Sequence, residues 1–244
     1  MTLFPDTSVA SAGTIRLGDL TVNRMGFGAM RLCGPLAWGM RRDRGNAHRV
    51  LHRALELGVN FIDTADSYGP AANETLIAEA LYPYPRGLVI ATKGGLVRPN
   101  RWSWVEDGRP EHLRRAGKIR HLGISNVTIA QLDEARRIAT IVSVQNEYNV
   151  RNRSCEDVLA ACESLGIAFL PWFPLGGKSC IRAFKIKRVA ARRGVAPAQV
   201  ALAWLLAHSR VMLPIPGTQS IGHLEENVRA AALILAPEDF GDLG

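Results

Sequence analysis

The 244-residue sequence has little of what marks stapled, fibrous or membrane-spanning chains. Its four cysteines, Cys33, Cys155, Cys162 and Cys180, include no C-x-x-C pair, so no histidine pair stands with one at zinc spacing. A disulfide framework and a metal site are therefore not expected, and reduced thiols fit a cytoplasmic protein. No stretch approaches the roughly 18 uninterrupted apolar residues of a membrane span. Met1 to Gly13 lacks the basic start and apolar run of a secretory leader. No G-x-G-x-x-G opens a helix after the first apolar run: Gly26-Phe27-Gly28-Ala29-Met30 has two glycines and then continues into a long loop, which weighs against a doubly wound dinucleotide fold. Aromatic residues make up 7% of the chain and rarely interleave with the basic ones. The net charge of +8 is spread along the chain, so no nucleic-acid partner is expected, whereas a basic surface suits an anionic small molecule.

What is present is a regular alternation. Short apolar runs occur at Met25–Met30, Asn60–Ala65, Leu88–Lys93, His121–Ser125, Ile141–Gln145, Ala168–Phe173 and Val211–Ile215. Helical patterns lie between them at Arg44–Leu57, Asn73–Leu81, Ile129–Ala139, Cys155–Ser164 and Pro197–His208, and Gly58, Gly166 and Gly194 stand where helices stop. Runs apolar on both faces that alternate with helices predict buried parallel strands in β/α units. Polar residues cluster just after several of the runs, where a closed barrel carries its active site. The expected architecture is an α/β TIM (β/α)8-type barrel over residues 1–244 as a single domain, with an extended N-terminal segment and seven recognisable strands.

The densest chemistry lies in Phe61-Ile62-Asp63-Thr64-Ala65-Asp66-Ser67-Tyr68. Asp63 ends an apolar strand, and a buried carboxylate there needs a partner. One strand later the apolar run delivers Lys93 to the same rim. An ammonium beside a phenol stabilises the phenolate and lowers its pKa from about 10, and a carboxylate keeps the ammonium charged. Such a trio makes Tyr68 a proton donor or acceptor. Spacing alone equally allows a structural ion pair with an incidental tyrosine.

The segment Asp63–Tyr68 with Lys93 resembles the signature of the aldo-keto reductase family, and so do Gly123-Ile124-Ser125-Asn126, Val144-Gln145-Asn146-Glu147-Tyr148, Trp172-Phe173-Pro174-Leu175-Gly176 and Ile215-Pro216-Gly217-Thr218 with His223-Leu224-Glu225-Glu226-Asn227. Tyr82-Pro83-Tyr84-Pro85, Gln145-Asn146-Glu147-Tyr148-Asn149 and Pro174-Leu175-Gly176-Gly177 are most similar to its bacterial pyridoxal reductase-like branch. The resemblance implies reduction of an aldehyde or ketone: hydride passes from NADPH, or NADH, and Tyr68 protonates the oxygen under the control of Lys93 and Asp63. It implies that Ser125, Asn126 and Gln145 hold the nicotinamide carboxamide and that Trp172 stacks on the nicotinamide ring. It places Gly28, Met30, Pro174, Leu175 and Gly176 along the cofactor, and Gly217, Thr218, His223, Glu226 and Asn227 at its adenosine end. The expected partner is a small carbonyl compound, and a monomer is favoured.

Two departures stand out. Gly217 and His223 stand where many members carry Lys and Arg against the 2′-phosphate of NADPH. Between Lys93 and Gly123, Arg109–Arg115 runs straight into Ala116–Gly123, so strand four, its flanking helices and the histidine at that strand's end are missing, with the junction near 115–116. His112 sits in the helical stretch Pro110–Arg115 and does not replace that histidine. A barrel's strand number and shear are linked, so such a loss leaves a tighter closure or exposed edges. Alternative readings are a cofactor-binding relative without turnover and a lyase using Lys93 as a Schiff base. Trp38, Trp102 and Trp104 are candidates for a ring-accepting pocket or for plain loop anchors.

Overall fold

The computed structural model describes residues 8–107 and 119–244. The predicted Pro110–Arg115 helix, His112 and the junction near 115–116 lie outside them. After a 3₁₀ turn at Val9–Ala12 come β1 (Thr14–Leu17), β2 (Leu20–Asn23), β3 (Phe27–Gly28), α1 (Arg44–Glu56), β4 (Phe61–Asp63), α2 (Ala72–Leu81) and β5 (Val89–Ala91). A short hairpin follows, β6 (Leu96–Val97) and β7 (Val105–Glu106). Then come β8 (Leu122–Ser125), α3 (Ile129–Ile138), β9 (Ile141–Gln145), α4 (Glu156–Leu165) and β10 (Ala168–Phe169). The chain ends with α5 (Gly177–Ile181), α6 (Phe184–Arg193), α7 (Pro197–His208), α8 (Ile221–Arg229) and α9 (Pro237–Leu243). No helix among the described residues is long and apolar enough to cross a membrane.

The chain falls into two compact units. One holds Gly26–Arg120 with Gly217–Leu224. Its sheet runs β3-β4-β5, all parallel, with Phe27 opposite Ile62 and Ile62 opposite Ile90. The residues of β4 are all buried, as the continuous apolar run requires. In α1, Ala47, Val50, Leu51 and Ala54 form the buried stripe, and the Asp43 carboxylate accepts the Asn46 N–H at 2.8 Å to cap its start. β5 is a terminal strand of this sheet and only half-buried.

The other unit holds the N-terminal segment to Met25, His121–Pro216 and Glu225–Gly244. Its sheet runs β10-β9-β8, again parallel, with Ser125 opposite Gln145. The run Val211–Ile215 joins through a parallel bridge from Met212 to Phe169. β8 is terminal here, and Leu122, Gly123 and Ser125 are exposed. The seven apolar runs thus all enter parallel pairing. Gly166 and Gly194 cap α4 and α6 in the left-handed conformation, with φ of 66° and 65°.

The N-terminal segment differs from the expectation. It is an antiparallel hairpin, with Thr14 opposite Asn23 and Leu17 opposite Leu20 around a tight Gly18-Asp19 turn. Gly18 has φ 64°, and a Cβ there would meet the His121 ring at 2.4 Å. The turn therefore needs glycine on two counts.

One ion-pair cluster ties α9 to α6. The fully buried Asp239 side chain accepts the Arg193 Nε at 2.6 Å, the Arg192 Nε at 3.1 Å and the Ala236 N–H at 2.9 Å. Burial alone raises its pKa, but the two guanidinium groups and the amide outweigh it and pull it from 3.8 to about 2. A depressed carboxylate contributes stability above its unfolded pKa and loses it as pH falls through the folded one. Thermal unfolding should therefore show this contribution intact above pH 4 and fading towards pH 2. Asp239→Asn should lower the midpoint at pH 7 more than at pH 3.

Candidate active site

β4 and β5 place three side chains at one rim. Their pairing continues beyond the strands, with the Thr64 N–H donating to Ala91 O at 2.8 Å and the Asp66 N–H to Lys93 O at 3.2 Å. This brings Lys93 level with Asp63. The Lys93 Nζ donates to both Asp63 carboxylate oxygens at 2.7 and 2.8 Å and to Thr64 O at 2.8 Å. It also lies 3.5 Å from the Tyr68 hydroxyl. Asp63 is 4% exposed, and this ion pair offsets the cost of burying its charge.

The electrostatics correct one expectation. Burial raises the Tyr68 pKa above its ordinary 10 and outweighs the lowering by Lys93, with Asp63 adding to the rise. The phenol is thus held protonated rather than poised as a phenolate. Burial pulls Lys93 down, but Asp63 and Tyr68 together push it above its ordinary 10.5. An ammonium held in this way is a poor amine nucleophile, which disfavours Schiff-base chemistry.

In the same unit, Gly217 packs against the backbone of Gly28. A Cβ on Gly217 would meet Gly28 O at 2.4 Å, with the Arg31 Cγ at 3.4 Å. No lysine fits that spot, and the stem of Arg31 already runs beside it. Gly217→Ala should overpack this contact and cost about 1–3 kcal/mol, read from the urea midpoint. Thr218 is buried and its hydroxyl accepts the Ser220 N–H at 3.1 Å, while His223 is exposed. A cavity of about 530 Å³ opens beside this segment, lined by Pro35, Met40, Arg41, Arg42, Asp43, Asn46 and Gln219. The Asn46 side chain fastens it by donating to Gln219 O at 2.7 Å. Met30 is exposed.

In the other unit, Ser125, Asn126, Gln145 and Trp172 come together at the ends of β8, β9 and β10. The Ser125 hydroxyl donates to Gln145 O at 2.8 Å, and the Asn126 N–H donates to the same oxygen at 3.0 Å. Asn126 has φ 57°, a left-handed conformation that asparagine tolerates. Its side-chain oxygen accepts the Trp172 Nε1–H at 2.8 Å, which fixes the indole. Asn126 is exposed, and its carboxamide nitrogen makes no hydrogen bond among the described residues. Pro174 is buried, Leu175 half-buried, and Gly176 has φ 58° with Cys180 Cβ 2.5 Å from where its own would stand. Within α8, Glu226 is half-buried and Asn227 buried.

The aldo/keto reductase family profile matches residues 24–116 and 108–243. The chain belongs to this family. It is 41% identical to pyridoxine 4-dehydrogenase of Escherichia coli over 279 residues, covering 96% of this chain and 98% of that one. It is 42% identical to an uncharacterized oxidoreductase of Schizosaccharomyces pombe over 275 residues, covering 96% of this chain and 90% of the relative. Both alignments are longer than the 244-residue chain itself. Among solved structures it is similar to a glycerol dehydrogenase from Gluconobacter oxydans, with TM-score 0.80 and 21% identity over 95% of this chain and 94% of that one. An aldo-keto reductase from Klebsiella pneumoniae in complex with NADPH gives TM-score 0.77 and 23% identity, with 94% and 93% covered. These likenesses show the α/β TIM-barrel-type fold.

Some residues around the site of this aldo/keto reductase escape a reading of the sequence. Asn73 is fully buried at the start of α2. Its amide donates to Ala29 O at 2.9 Å, its oxygen accepts the Thr64 hydroxyl at 2.7 Å, and its own N–H donates to Tyr68 O at 3.1 Å. It thus pins the Tyr68 loop. Asn146 bonds both backbone groups of Val127 in the other unit, at 2.8 and 3.0 Å. For Asn73 the only signal is an asparagine next to a catalytic-type loop, which is weak because asparagine is common in turns, whereas Asn146 lies in the segment Val144–Tyr148 that carries the family resemblance. Of the three loop tryptophans, Trp102 is 75% exposed, while the Trp104 ring stands edge-on to Tyr68, centroids 6.4 Å apart.

Proposed function

We propose that the chain is an NADPH-dependent reductase of small aldehydes or ketones. The observation that carries this reading is the Lys93 ammonium, clamped between Asp63 and the protonated Tyr68 hydroxyl. The reaction needs a proton at the carbonyl oxygen, and Tyr68 is a neutral phenol able to give it. As the proton leaves, negative charge develops on the Tyr68 oxygen 3.5 Å from the ammonium. Asp63 keeps that ammonium charged and aimed. The loop carrying Tyr68 is pinned by Asn73, so the hydroxyl is preorganised rather than recruited.

Residues within each unit suit one end of a nicotinamide dinucleotide phosphate. When bound, NADPH supplies the hydride. The unbonded carboxamide nitrogen of Asn126 can donate to the nicotinamide amide, with Ser125 and Gln145 beside it and Trp172 fixed for stacking. The close approach of Gly217 to Gly28 leaves a side-chain-free stretch of backbone that would suit the adenosine end of such a cofactor. Arg31 beside Gly217 and Arg41 and Arg42 in the adjoining cavity supply positive charge where the lysine and arginine of other members are replaced. This supports NADPH over NADH. The chain is further read as a single domain short of one β/α unit near 115–116. That reading is supported by the family match falling into two segments that overlap at residues 108–116 and by alignments longer than the chain.

The relative named pyridoxine 4-dehydrogenase makes pyridoxal the first aldehyde to try. The loss of nicotinamide absorbance with pyridoxal should report turnover, and intrinsic tryptophan fluorescence should report NADPH binding. Binding without turnover would select the reading of a cofactor-binding relative that lacks catalysis. Neither binding nor turnover by folded protein would overturn the proposal.

A further inference from the structure

The hairpin β6–β7 carries an arginine that the reaction does not use. Arg98 is only 7% exposed, yet it has no carboxylate partner among the described residues. Its guanidinium instead donates to four backbone carbonyls: Ser103 O at 2.9 Å, Arg101 O at 2.8 Å, Leu36 O at 3.2 Å and Ala37 O at 3.3 Å. A buried cation is expensive to hold, so a fork satisfied this fully is a built feature. Leu36 and Ala37 both have positive φ, 60° and 53°, a strained backbone that persists only where its surroundings over-determine it. The Ala37 carbonyl also accepts the N–H of Gly69, the residue after Tyr68. Arg98 therefore ties the hairpin to the loop after β3 and, through Ala37, to the Tyr68 loop.

The same guanidinium lies 3.7 Å over the Trp104 ring. It covers part of one side of the indole and fixes its plane. The Asn100 carboxamide oxygen accepts the N–H groups of Trp102 and Ser103 at 2.9 and 3.1 Å, which stiffens the turn leading to Trp104. So held, Trp104 meets Tyr68 edge-on with an interplanar angle of 82°, and 44% of the residue remains exposed. An exposed indole is thereby fixed next to the phenol that would protonate the substrate.

We infer that Trp104 is a specificity-determining residue that selects flat aromatic aldehydes, and that Arg98 is the positioning residue that locks it. The inference rests on Tyr68 as the proton donor. A planar ring whose carbonyl reaches the Tyr68 hydroxyl gains an aromatic contact with the exposed indole, whereas a short alkyl chain gains little. Aromatic pairs add enough beyond plain burial to shift affinity by roughly 2- to 10-fold.

The test compares the parent with Trp104→Ala, Trp104→Phe, Arg98→Met and Arg98→Lys, using 4-nitrobenzaldehyde and butanal with NADPH. Trp104→Ala should raise KM for 4-nitrobenzaldehyde by about 3- to 10-fold and leave that for butanal nearly unchanged. Trp104→Phe should restore part of the preference. Arg98→Met should lose the preference with Trp104 intact, accompanied by easier acrylamide quenching of tryptophan emission. Arg98→Lys should not rescue it, because an ammonium cannot make the four-carbonyl fork. Calorimetric binding of 4-nitrobenzyl alcohol and butanol with NADPH present reads the same preference without turnover. An inactive parent whose aromatic-alcohol affinity still falls in Trp104→Ala would sink the reductase reading and keep the role of Trp104. Equal changes for both ligands, or a preference that survives Arg98→Met in a variant still folded by circular dichroism, would overturn the inference.

Discussion

Tyr68→Phe is expected to lower kcat for carbonyl reduction by about 10²- to 10⁴-fold, the usual worth of a positioned proton donor. The ring remains and only the hydroxyl goes, so packing against Trp104 and the backbone bonds of the loop persist. NADPH affinity, read by fluorescence titration, should stay at the parent value. The pH profile carries a second signature. Burial holds the Tyr68 pKa above 10, so the donor is protonated throughout the neutral range. Reduction by the parent should be flat across neutral pH and decline only above pH 10, as the phenol ionises. Alcohol oxidation needs the phenolate and should climb with pH over the same range. Equal kcat for parent and Tyr68→Phe would remove Tyr68 from the reaction.

Lys93→Met is expected to be costly twice over. It leaves Asp63, 4% exposed, without the ammonium that bonds both its oxygens. Breaking a buried ion pair by removing one partner typically costs about 3–5 kcal/mol, because the remaining buried charge loses its counter-ion. Chemical denaturation should show that loss, and activity should fall with it since Tyr68 loses its stabilising cation. The double variant Asp63→Asn with Lys93→Met removes both charges. It should recover much of the stability and none of the activity. A Lys93→Met protein as stable as the parent would mean that Asp63 is solvated or paired elsewhere.

How far the sequence carried can be traced to particular residues. The apolar run Phe61–Ile62 is buried on both faces and pairs in parallel, as its pattern requires, whereas the equally apolar Val89–Ala91 pairs in parallel but stays half-buried as a terminal strand. Helix ends were equally plain where a glycine takes a left-handed φ, as at Gly166 and Gly194. The hairpin β1–β2 leaves a faint pattern because its strands are only four residues each, although Gly18-Asp19 between alternating runs is a hairpin signal. The meeting of Asp63, Tyr68 and Lys93 was legible, because strand ends of neighbouring β/α units share a rim. The direction of the Tyr68 shift was not: it depends on how completely the phenol is buried, which spacing does not encode. Arg98 was invisible for a similar reason. Its partners are backbone carbonyls up to 62 positions away, and these leave no side-chain pattern to find.

Arg24 ties the amino-terminal hairpin to the C-terminal end of α7, with carbonyl acceptors at Leu206, Ser209 and Met212 that lie 182, 185 and 188 positions further along the chain. Chains are made from the amino end at roughly 5–20 residues per second, so this guanidinium waits some 10–40 s on the ribosome before its acceptors exist. By contrast, all three strands of the β3-β4-β5 sheet are in hand once Ala91 has been made. The order of synthesis therefore favours early formation of the sheet that presents Asp63, while the unit closed by Arg24 is completed last.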